Sequence, residues 1–154
     1  LEELEGILPG RKLRMMPMGE LLDYAGERGV KVEWVRMRRG FAGAASALTG
    51  TVYLDWGLES RPRHAISVLA HELGHVALGH DCAQNADGEE AANRWAARML
   101  ISPAEYAVAE CLYGTNPSVL AVELGVTRSI VKAWQARPGS HLDLSPLGMT
   151  RNQT

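Results

Sequence analysis

The spacing of apolar residues along the chain changes character several times, and each change predicts an element. From Met18 to Arg28 the stretch GELLDYAGER carries its apolar residues at helical spacing and is closed by Gly29, which predicts a short amphipathic helix. VKVEWVR, Val30 to Arg36, alternates with period two and is rich in valine, as a half-buried strand is. TVYLDW, Thr51 to Trp56, reads as a second strand. From Ser60 the pattern shifts again. Ser60 can cap a helix, Pro62 suits its first turn, and apolar residues then run almost all round to Leu78, with Gly79 as the stop. A helix that is apolar on most faces is buried. A second long helix is expected to start at Asp87, with Glu90 closing a capping box, and to run through EEAANRWAARMLI to Pro103. Shorter helices are predicted at Pro103 to Cys111, Ser118 to Leu124 and Thr127 to Ala136. The resulting expectation is an α+β fold: a small two- to three-stranded sheet packed on a mainly helical body, forming one domain over 1–137. The tail at 138–154 has little periodicity and is expected to be irregular.

Composition narrows the function classes. With 154 residues, 46% of them hydrophobic, the chain can bury one sizeable core. Sixteen basic against eighteen acidic side chains give no overall pull toward nucleic acid or anionic lipid. The local run Arg36, Arg38, Arg39 reads as a solvated cluster. Cys82 and Cys111 are too few for a disulfide framework and read as reduced thiols. No run of eighteen apolar residues occurs, and the opening LEELEGILPGRKL has no signal-peptide core, so a cytoplasmic protein without membrane contact is expected.

Against that background AHELGHVALGH, Ala70 to His80, holds three of the five histidines, with His71 and His75 inside the buried helix. Residues i and i+4 share a helical face, so His71 and His75 can aim at one ion, with Glu72 beside them. This is the HExxH arrangement, in which two histidines bind zinc and the glutamate acts as general base. A catalytic zinc needs a third protein ligand, and His80, Asp81, Cys82, Glu89 and Glu90 are the nearby donors. Helical phase favours Glu89, because residues 89, 92, 96, 99 and 100 form the apolar stripe of the second long helix. Ala92 and Ala96 would let that helix approach closely, and Asn93 is placed to hydrogen-bond a ligand histidine. Glu90 falls on the face of Arg94 and is expected to pair with it. His80 does not fit HExxHxxGxxH, since Leu78 stands in the glycine position and Asp81 in the terminal ligand position. It is expected to end the helix or line the cleft. For stabilising an oxyanion, Tyr106, Tyr113, His80, Arg94 and His141 are the candidates, and the pattern does not choose among them. The strand at Thr51 to Trp56 is expected to be the sheet edge that receives a substrate strand.

HELGH, HVALGH and EEAANRWAARMLISP together resemble the ImmA/IrrE family of bacterial and phage metallo-endopeptidases, over roughly Tyr53 to Trp134. The family pattern of HExxH followed by ExxAN and an aromatic is matched by Glu89 to Ala96, with Trp95 in the aromatic slot. The resemblance implies a zincin-like domain with one zinc ion on His71, His75 and Glu89, and Glu72 as base. It also implies a protein substrate, a helix-turn-helix repressor that the enzyme cleaves or inactivates. A non-proteolytic metal-binding antirepressor is the alternative. LAVELGVTRSIVKAW, Leu120 to Trp134, itself has a helix-turn-helix rhythm, but Arg128 and Lys132, with Arg137 just beyond, are the only basic residues there, so a packing or docking role is expected before DNA binding.

Overall fold

The computed structural model describes residues 16–80 and 85–137. The fold is α+β, with six α-helices and three strands among the described residues. Helix α1, Met18–Glu27, is followed by strands β1, Lys31–Val35, β2, Gly43–Ser46, and β3, Thr51–Asp55. A 3-10 turn at Trp56–Ser60 leads into α2, Pro62–Ala77, and then come α3, Ala86–Leu100, α4, Pro103–Tyr113, α5, Pro117–Leu124, and α6, Arg128–Ala136. The irregular tail expected at 138–154 and residues Asp81, Cys82 and His141 lie outside the described residues.

The sheet is mixed, in the order β1-β3-β2, with β1 parallel and β2 antiparallel to β3. This corrects the expectation that Thr51 to Trp56 forms an edge: β3 has a hydrogen-bonded neighbour on each side, so it has no side left to receive a substrate strand. The outer strand β2, which no periodic pattern announces, carries only small residues, GAAS. Pleating places Val32, Trp34, Gly43, Ala45, Val52 and Leu54 on one face by the register of the two ladders. Gly43 fixes that face against α2, because a Cβ there would come within 2.6 Å of Val68 Cγ1 and 3.0 Å of Glu72 Cγ.

Local capping differs from expectation at two helices. Asn85, not Asp87, caps α3, accepting from Gly88 N at 2.6 Å. A cap two residues earlier moves Asp87 into the first turn, where a carboxylate suits the positive end of the helix. Ser60 does not cap α2. It belongs to the 3-10 turn and donates to Gly57 O at 3.1 Å, while Arg61 takes the cap position ahead of Pro62.

The core runs from Leu21 and Ala25 of α1 through Val52 and Leu54 to Leu69, Ala70 and Leu73 of α2, and on through Ala96 and Leu100 of α3. Where α2 crosses α3 the backbones nearly touch. A Cβ on Gly74 would lie 3.0 Å from Ala92 O and 3.2 Å from Ala92 Cα, so only glycine opposite alanine permits this approach. α5 and α6 are joined by a short turn in which Gly125 adopts the left-handed conformation, φ 70°. On α6 the residues Ile130, Val131, Ala133 and Trp134 are buried, leaving Arg128 and Lys132 outside. No helix among the described residues is long and apolar enough to cross a membrane.

Candidate metal centre

One face of α2 and the first turns of α3 bring His71, His75 and Glu89 together. His71 Nε2 lies 3.0 Å from one Glu89 carboxylate oxygen, His75 Nε2 lies 3.0 Å from the other, and the two Nε2 atoms are 3.1 Å apart. The rings meet edge to face at 4.8 Å between centroids. Ligand atoms held about 2.1 Å from a tetrahedral zinc stand about 3.4 Å from each other. The observed separations are a few tenths shorter, so two imidazoles and a carboxylate, the donor set a divalent transition metal takes, fit one shared ion.

Both rings are oriented from behind. Asn93 Oδ1 lies 2.8 Å from His71 Nδ1 and accepts its proton, which leaves Nε2 with a lone pair facing Glu89. His75 Nδ1 is 3.1 Å from His80 Nδ1. The histidine side chains are largely covered, at 17% and 13% exposure, whereas Glu89 is 43% exposed, so its carboxylate is aimed inward from a partly open rim. Burial, then the neighbouring His71, hold the His75 imidazole below its ordinary pKa, which keeps it neutral and able to donate a lone pair.

Glu72 is buried next to the cluster without joining it. Burial, and secondarily the charge of Glu89, push its carboxyl up to about 7. Gly43 packs directly over this side chain, 3.2 Å from Oε1 to the position a Cβ would take.

Of the other residues expected near the cleft, only His80 makes a contact with the cluster among the described residues. Tyr106 is a core residue: it is 1% exposed, packs 5.6 Å from Trp134, and its hydroxyl accepts from Gln135 Nε2 at 3.0 Å. Its aromatic bulk is spent on joining α4 to α6, which removes it from the oxyanion candidates. Tyr113 is exposed at the end of α4. Arg94 pairs with Glu90 at 3.5 Å, as expected, and lines a cavity between α3 and α6 with Arg98 and Arg137, away from the histidines. No protein-family model, curated protein or solved structure matches this chain.

Proposed function

We propose that the chain is a metal-dependent endopeptidase of the ImmA/IrrE type that holds one zinc ion through His71, His75 and Glu89 and acts, in the cytoplasm, on a helix-turn-helix repressor. The observation that carries this reading is the convergence of three donor residues, with nearest atoms 3.0 to 3.1 Å apart, beside a buried carboxyl that is not one of them. A purely structural metal site has no use for that fourth group, whose burial costs stability. The repressor as substrate rests on the resemblance of HELGH and EEAANRWA to that family.

When bound, the ion supplies a Lewis acid that polarises the scissile carbonyl and acidifies water. Glu72 accepts the proton of the attacking water and hands it to the leaving amine as the peptide C–N bond breaks. Its covered position, under Gly43, holds the proton within the site between the two transfers. Asn93 keeps the His71 ring from rotating its Nε2 away.

The test is incubation of the zinc-loaded protein with purified candidate repressors. Wild type should produce two fragments from one bond, chelation should stop the reaction, and Glu72→Gln should retain zinc while cutting nothing. Relief of repression by Glu72→Gln equal to wild type would overturn the proposal in favour of stoichiometric capture.

A further inference from the structure

The helix that carries both histidines ends in a turn that does more than stop it. Leu78 is the C-cap, Gly79 follows at φ +74°, and His80 comes next. Gly79 N donates to Val76 O at 3.1 Å and His80 N donates to His75 O at 2.8 Å, the paired reverse bonds of a Schellman terminator. In such a turn the second residue past the cap folds back over the residue five positions earlier, and here that residue is a candidate metal ligand. The left-handed φ at position 79 is what glycine allows without strain.

The consequence is side-chain contact as well as backbone closure. His80 Nδ1 lies 3.1 Å from His75 Nδ1, with ring centroids 5.3 Å apart. Two imidazole nitrogens at that distance share one proton, one donating and the other accepting. With an ion held on Nε2 between His71 and Glu89, His75 carries its proton on Nδ1 and His80 Nδ1 is the acceptor. His80 therefore does for His75 what Asn93 does for His71.

We infer that His80 is a positioning residue for the metal centre, which fixes the tautomer and ring rotation of His75 through Nδ1 and is itself delivered by the Gly79 turn. This rests on the metal site proposed above and does not depend on catalysis.

The experiment measures zinc affinity by competition with a chelator for wild type, His80→Phe, His80→Gln and Gly79→Ala, together with the thermal stability of each metal-free protein. Loss of such an outer partner weakens metal binding about 10- to 100-fold. His80→Phe should fall in that range with the metal-free melting temperature unchanged. His80→Gln, whose amide oxygen can accept the same proton, should recover most of the affinity. Gly79→Ala should weaken zinc in the same direction, and combining it with His80→Phe should add little, because both remove one contact. Zinc binding by His80→Phe within twofold of wild type, or His80→Gln as impaired as His80→Phe, overturns the inference while leaving the metal site standing. Absence of zinc binding by wild type overturns both.

Discussion

Replacing Glu72 by glutamine in the metal-free protein should raise stability in alkaline solution and not in acid. A carboxyl moved from its ordinary value of 4.5 up to about 7 is one whose charged form is disfavoured in the folded state. Each pKa unit corresponds to 1.36 kcal/mol, so ionising Glu72 in the fold costs about 3 kcal/mol more than ionising it in the unfolded chain. The sign follows from the raised value. The contribution of the protonated group is fully present below about 4.5, and it is lost as pH rises through about 7. Glutamine does not titrate, and the cost of burying its amide is the same at every pH. The stability difference between Glu72→Gln and wild type should therefore grow by about 3 kcal/mol between pH 4.5 and pH 8, then level off. At 2–4 °C per kcal/mol for a chain of this size, that is a relative gain of about 10 °C in melting temperature. Urea unfolding in the presence of a chelator, at half-unit pH intervals, reads the difference directly. A difference that changes by less than about 1 kcal/mol over that range would refute the argument, since it would mean that Glu72 keeps its solvent or a compensating partner.

Three further outcomes are expected. Gly74→Ala sets a methyl against the Ala92 backbone, and should cost about 1–3 kcal/mol in chemical denaturation and weaken zinc binding as Glu89 is pushed outward. Asn93→Ala frees the back of His71 and should reduce zinc affinity about 10- to 100-fold in chelator competition, with little change in the fold. Asp55 is held below its ordinary pKa by the backbone N–H groups of Met37 and Gly57, so its contribution is present above about 4 and is lost as pH falls through its lowered value. The protection factor of the Met37 amide, its exchange rate corrected for the intrinsic pH dependence, should fall on acidification in wild type, and Asp55→Asn should remove that fall.

The approach of His71, His75 and Glu89 to one another was legible because helices translate spacing into direction. HELGH at i and i+4, and Glu89 rather than Glu90 on the apolar stripe of the next helix, follow from 3.6 residues per turn, and the same phase put Asn93 behind His71. Strand order is not written in local periodicity, which is why the reading of Thr51 to Trp56 as an edge fails and β3 lies in the centre. β2 escaped notice because GAAS has neither β-branched residues nor alternation. Its small side chains answer to the close approach of Gly43 to Glu72, a tertiary demand. Tyr106 shows the limit for aromatics, since the same residue on a helix can line a cleft or fill a core, and here it fills the core. The place of His80 was legible too: a glycine just past the helix with histidine next, and a histidine of the HExxH motif five residues before His80, is the register of the reverse turn.

Whether one divalent ion sits between His71, His75 and Glu89 is read from a crystal of the zinc-loaded protein, with data collected on both sides of the zinc absorption edge. If it does, a single anomalous peak lies about 2.0–2.2 Å from Nε2 of His71, Nε2 of His75 and a carboxylate oxygen of Glu89, with Glu72 outside the coordination sphere. A peak bound by other side chains, or by Glu72 in place of Glu89, would contradict it.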